Sequence, residues 1–193
     1  MTPERPRLVV GISGSSAPQL GRALLVALRE LGTVETHLVL SRNAHRTIEL
    51  ELRVPVDELR ALADVAYEPD DMAAAISSGS FPTIGMIVAP CSMRTLAAIA
   101  TGNSTDLLTR AADVCLKERR PLVLAARETP LNLVHIRNME AATLAGATIM
   151  PPVLSFYHRP QSIDDLLRAL VGRMLDQLGI EHGLARRWRG PDG

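Results

Sequence analysis

Four short stretches of this sequence carry side chains suited to holding an anion or moving a proton: Gly11-Ile12-Ser13-Gly14-Ser15-Ser16, Ser41, Pro90-Cys91-Ser92-Met93-Arg94-Thr95 and Arg127-Glu128-Thr129-Pro130. Each follows an apolar run. The first is built of small residues, which let a backbone approach an anion closely and leave the N–H groups of a following helix free to donate to it. The third offers hydroxyls and a guanidinium. The fourth sets a guanidinium beside a carboxylate and a rigid turn. Hydroxyls and cations suit a phosphate, and a carboxylate suits proton transfer. Plainer readings stand next to these: an N-capped connection for GISGSS, helix caps for Ser92 and Thr95, and a structural ion pair for Arg127 and Glu128. The first stretch lacks both the full GxGxxG pattern and the lysine of a P-loop, so it matches neither the ordinary dinucleotide fingerprint nor a Walker turn.

The elements that must position these residues alternate between strand and helix. Leu8–Ile12 reads as a buried strand, Leu20–Leu31 as a helix, Thr36–Leu40 as a strand and Asn43–Leu52 as a helix. After the acidic stretch at Glu68-Pro69-Asp70-Asp71, the pattern predicts a short helix over 71–76. A strand over Thr83–Ala89, closed by Pro90, comes next. Helices over Leu96–Ala100 and Leu107–Arg119 precede a strand over Leu122–Ala126. A helix over Leu131–Ala145, a short strand over Ala147–Met150 and an amphipathic helix over Ile163–Leu178 complete the chain. Short continuous apolar strands separated by helices predict an α/β fold with a mainly parallel sheet covered on both faces. Ligands of such sheets bind at the carboxyl ends of the strands, where the four polar stretches converge.

Composition restricts the function classes. The 193 residues are 47% apolar and 22% charged, with 21 basic and 21 acidic side chains. That length and apolar content fit one domain, residues 1–193, with flexible ends at 1–7 and 189–193. A balanced charge gives no field directed at nucleic acid or a membrane surface. No apolar run has the length of a membrane span, and the expected location is cytoplasmic. Cys91 and Cys115 have no CxxC spacing, so they indicate neither a disulfide framework nor a cysteine metal site and read as small core residues. His135 reads as structural or as a support to a neighbouring residue, and not as a catalytic base.

The run PCSMRTLAAIATGNSTDLLTRAADVCLKERRPLVLAARETPLNLVHIRNM, followed by GATIMPPVLSFYHRPQSIDDLL and by Arg173, Gly179-Ile180 and Trp188, resembles the UbiX family of flavin prenyltransferases. The resemblance extends along almost the whole chain. It implies a flavodoxin-like, Rossmannoid three-layer sandwich, assembled as a homo-dodecamer. It also implies an enzyme that joins a dimethylallyl group from dimethylallyl monophosphate to N5 and C6 of reduced FMN. The product, prenylated FMN, would serve a UbiD-type decarboxylase as its cofactor.

On the matching positions, the resemblance implies that Gly14, Ser15, Ser16, Ser41, Ser92, Met93, Arg94, Thr95 and Arg127 hold FMN. It gives catalytic roles to Ser16, Glu51 and Glu128. The prenyl phosphate falls to Arg110, Lys117, Tyr157 and Arg173, with Trp188 helping to close the pocket. Cations there would stabilise the charge that develops as the C–O bond breaks, a task that needs no metal, and no metal motif is visible. Glu128 would move a proton between flavin and phosphate, Arg127 would orient both, and Pro130 would fix the turn.

Two departures from the family pattern bear on substrate preference. Where relatives commonly read GASGA, this chain has Gly14-Ser15-Ser16-Ala17-Pro18, and Leu154-Ser155 stands in place of Pro-Ala before Phe156-Tyr157. Two other functions share the scaffold: a flavin-dependent cysteine decarboxylase, which would carry a PASANT-like segment where this chain has PCSMRT, and a non-catalytic FMN-binding subunit.

Overall fold

Alternate residues of the first strand face opposite sides of one sheet, and both sides are buried. A computed structural model describes residues 5–184, 187–188 and 190. Its elements run β1 (Arg7–Ile12), α1 (Pro18–Leu31), β2 (Glu35–Leu40), α2 (Arg42–Glu51), α3 (Val56–Arg60), β3 (Val65–Tyr67), β4 (Gly85–Cys91), α4 (Met93–Ala100), α5 (Leu107–Lys117), β5 (Leu122–Ala126), α6 (Leu133–Leu144), β6 (Thr148–Ile149) and α7 (Ile163–Asp176). The six strands are ordered β3-β2-β1-β4-β5-β6, and each pairing is parallel. β1 lies at the centre, with Val10 opposite Leu38 on one side and Ile87 on the other.

The two faces make two cores. Leu8, Val10 and Ile12 pack with Leu24 and Leu28 of α1 and Val171 and Met174 of α7. Val9 packs on the other face with Val88, Leu96 of α4 and Leu108 and Ala112 of α5. Leu8, Leu24, Val10 and Leu96 are wholly inaccessible, and burial of one such side chain contributes about 1.5–3 kcal/mol. Gly21 lets α1 lie close against the sheet, because a Cβ there would stand 2.6 Å from the Ala89 carbonyl oxygen.

Several details differ from the sequence expectation. β3 is three half-buried residues at the sheet edge, too short to leave a pattern, and α3 is a five-residue helix after Pro55. Residues 71–76 do not form the expected helix. The Asp71 carboxylate accepts the Ala73 N–H at 3.2 Å, a local bond that competes with helix formation, and only a 3-10 turn follows at Ala75–Ser77. β4 passes through Pro90, after a cis peptide, and ends at Cys91, where its register with β5 shifts. Residues 5–7, expected in a flexible end, are held: Arg7 opens β1, and Arg5 donates to the Val34 carbonyl at 3.0 Å. The rest of that expectation falls on residues 1–4, 189 and 191–193, outside the described residues, and on Gly190. Among the described residues no helix is long and apolar enough to cross a membrane.

Candidate active site

The carboxyl edge of the sheet is laced together by the residues that follow its strands. Ser13, after β1, donates its hydroxyl to the Pro90 carbonyl at 2.9 Å and accepts the Ser92 N–H at 2.7 Å. Ser15 reaches past β4 and donates to the Arg127 carbonyl at 3.2 Å. The Arg127 N–H donates to the Cys91 carbonyl at 3.0 Å, and the Ser41 N–H to the Ile12 carbonyl at 2.9 Å. β2, β1, β4 and β5 are neighbours in the sheet. The four polar stretches therefore meet at one edge, as the sequence predicts.

Three helices begin at this edge and direct their unpaired N–H groups toward it. Ser41 caps α2 by accepting the Ala44 N–H, and Ser92 caps α4 by accepting the Thr95 N–H. The cap reading holds for both serines. Ser92 also donates its O–H to Thr95 Oγ1 at 3.0 Å, while among the described residues the Ser41 hydroxyl has no acceptor. α1 has no side-chain cap of its own. Glu51, the last residue of α2, serves it instead: one carboxylate oxygen accepts the Ala17 N–H at 2.9 Å and the Ser16 hydroxyl at 3.1 Å. Gly14 passes so close to α2 that a Cβ would stand 2.5 Å from that of Asn43. The result is a backbone turn in which a carboxylate and a hydroxyl are already joined by a proton.

The remaining strand-end residues differ in what they present. Met93 turns its side chain into the core, which leaves its backbone to the edge, while Arg94 is exposed and Thr95 is buried. Arg127 is half-buried and Glu128 exposed. The ion pair between them does not form: the Glu128 carboxylate accepts the Thr129 N–H at 3.0 Å, and among the described residues Arg127 has no carboxylate partner. Thr129 and Pro130 are joined by a cis peptide. His135 is structural, in a reciprocal cap with Asn132 at the start of α6. Burial pushes the Cys91 and Cys115 thiols up to about 12, which removes them as nucleophiles. Among the described residues no group of three His, Cys, Asp or Glu side chains is placed to hold a metal.

The residues expected at the prenyl phosphate divide into separate places. Arg173 lies in the last turn of α7 and donates to Asp176 at 2.8 Å. Asp176 also accepts from Arg187 at 2.8 Å, and the neighbouring Trp188 meets the Tyr157 ring edge-on at 5.9 Å. Tyr157, Arg173 and Trp188 are thus gathered in one cluster. It lies toward the amino edge of the sheet, since Leu178, just beyond α7, packs beside Gly85 at the start of β4. Lys117, at the end of α5, pairs with Glu118 on that same edge. Arg110 donates to the Ser77 carbonyl at 3.1 Å and pairs with Asp113 at 2.7 Å. One chain brings the strand-end residues to one edge and leaves Lys117 and Arg173 toward the other.

Sequence reasoning passed over Ser13, which lay inside the quoted GISGSS, and Asp176, whose signal was a carboxylate three residues after Arg173 at the disfavoured end of a helix.

Comparison with known proteins agrees with this geometry. The Flavoprotein family matches residues 2–175. The flavin prenyltransferase UbiX of Escherichia coli K12 is 54% identical over 186 residues, covering 95% of this chain and 98% of the relative. The crystal structure of AnUbiX (PadA1) in complex with FMN and dimethylallyl pyrophosphate superposes with a TM-score of 0.94 at 53% identity, over 97% of this chain and 99% of that one. A dodecameric FMN-dependent UbiX-like decarboxylase from Escherichia coli O157:H7 superposes with a TM-score of 0.92 at 52% identity, over 95% and 100% of the two chains. With a flavodoxin-like parallel sheet, a serine and glutamate poised at its carboxyl edge and these relatives over nearly its full length, the chain belongs to the UbiX family of flavin prenyltransferases.

Proposed function

We propose that this protein transfers the dimethylallyl group of dimethylallyl monophosphate to N5 and C6 of reduced FMN. The observation that carries the reading is the carboxyl edge itself: three helix N-termini, the Gly14 turn, the Ser16–Glu51 pair and the Arg127 guanidinium, which has no carboxylate partner among the described residues. The residues present fit FMN. Backbone N–H groups and the Ser41 hydroxyl suit its phosphate, and Arg127 suits the electron-rich ring. When bound, the reduced flavin supplies the nucleophilic nitrogen and carbon that take the prenyl group.

The chain's own residues then have defined tasks. Glu51 holds the Ser16 hydroxyl at 3.1 Å, which sets that group to receive or return a proton next to the reacting atoms. Glu128 is exposed, and its oxygen other than the one that accepts the Thr129 N–H is set to take the proton that must leave as the new bond forms. Arg173, Arg110, Lys117 and the Tyr157 hydroxyl stabilise the departing phosphate. In a single chain Arg173 and Lys117 pair with Asp176 and Glu118 toward the opposite edge, and Arg110 pairs with Asp113, so copies of the chain must pool these cations at one site. An exposed apolar surface supports that assembly: α6 buries Ala142 and leaves Leu133, Val134, Ile136 and Leu144 open. A homo-dodecamer follows the relative that is dodecameric. The product is destined for a UbiD-type decarboxylase.

Anaerobic incubation with reduced FMN and dimethylallyl monophosphate, followed by mass spectrometry of the released flavin, tests the reading. A gain of one dimethylallyl unit is expected. Unmodified flavin with both the monophosphate and the diphosphate would overturn it.

A further inference from the structure

We infer that Asp176 is a positioning residue for the prenyl-phosphate site, one oxygen orienting Arg173 and the other holding the C-terminal residues that carry Trp188. The inference rests on the roles proposed above for Arg173 and Trp188. Asp176 is the final residue of α7, where a carboxylate meets the negative end of the helix dipole. Helix stability does not call for an acid there. Its partners do: Oδ2 accepts from Arg173 at 2.8 Å, while Oδ1 accepts from Arg187 at 2.8 Å and from His182 Nε2 at 3.2 Å.

His182 makes the arrangement directional. Its ring is almost fully buried, and Nδ1 accepts the Leu184 N–H at 3.1 Å. The proton of the neutral ring must therefore sit on Nε2, facing Asp176. Arg187 is followed by Trp188, whose ring meets Tyr157 at 5.9 Å and 79°. A continuous path runs from Arg173 through Asp176 and Arg187 to Trp188 and Tyr157. The division between the two oxygens matters, because a phosphate that draws on Arg173 leaves the His182 and Arg187 bonds in place.

The sequence contains one tryptophan, so the tryptophan emission of the FMN-loaded protein, excited beyond the tyrosine band and read short of the flavin band, reports Trp188 alone. Asp176→Asn keeps the shape and removes the charge. It is expected to raise acrylamide quenching of Trp188 about twofold and to raise KM for dimethylallyl monophosphate roughly tenfold, with kcat within a factor of about three. FMN affinity should not change. Arg187→Met, at an exposed side chain, should raise the quenching with a smaller change in KM. Unchanged quenching in both variants, with normal turnover, would overturn the role given to Asp176. Absence of prenylated flavin from the unmodified protein would instead overturn the functional reading, and the quenching would still decide whether Asp176 holds Trp188.

Discussion

Ser15 and Arg127 stand 112 positions apart in the chain, yet the Ser15 hydroxyl donates to the Arg127 carbonyl at 3.2 Å. The bond passes over β4 and sets the distance between the small-residue turn and the strand end that carries the guanidinium. Ser15→Ala should therefore act on both stability and flavin binding. A partly buried hydrogen bond of this kind contributes about 1 kcal/mol. Thermal unfolding and FMN titration of the variant should each show a loss, and full FMN affinity at unchanged stability would refute the link.

Glu51 accepts two hydrogen bonds on one oxygen, from Ser16 and from the Ala17 N–H. Glu51→Gln keeps the shape and loses the proton acceptor. Turnover should fall by roughly 10²-fold or more if the pair moves a proton. Ser16→Ala combined with Glu51→Gln should cost little beyond the worse single variant, because the two act as one unit. Measured rates that multiply would mean that the two residues work independently.

Ala17 adopts φ 70 and ψ 48, a left-handed conformation that costs a residue with a Cβ about 1 kcal/mol. Ala17→Gly should accordingly raise the melting temperature by about 2–4 °C for a chain of this size. A fall in Tm would show that restricting the unfolded chain outweighs the strain.

His37 sits in a buried network away from the active edge. One ring nitrogen lies 2.8 Å from the Tyr67 hydroxyl and the other 2.9 Å from Glu35, with Phe81 edge-on to the ring. Burial moves its pKa down from 6.5, and the hydrogen bond and charge of Glu35 only partly oppose that. As pH falls through 6.5 the unfolded chain takes up the proton before the folded one does. The contribution is intact above 6.5 and is lost as pH drops toward the lowered folded-state value. Melting temperature should decline from pH ~7 to pH ~5, and His37→Gln should flatten that slope. A variant with the same slope as the unmodified protein would assign the decline to other groups.

The continuous apolar runs around Val10, Ile87 and Leu124 made the parallel sheet legible, because a strand buried on both faces has no polar alternation to confuse it with a surface element. The strand-end serines were legible for the same reason, since they interrupt those runs. β3 was not, being three residues at a half-buried edge, and the Asp71 turn was hidden behind an alanine-rich stretch with good helix propensity. The convergence of the polar stretches on one edge could be read because they follow successive strands. The separation of Lys117 and Arg173 from it could not. Their motifs mark residue type, and only the course of α5 and α7 across the sheet decides at which edge each one ends.

That separation has a genetic consequence. If each site draws Glu51 from one copy and its phosphate cations from another, no single polypeptide is catalytically self-sufficient. An allele lacking Glu51 and an allele lacking Lys117, each inactive alone, would restore a fraction of working sites when co-expressed in one cell. Heteroallelic complementation of this kind would count how many polypeptides share a single turnover.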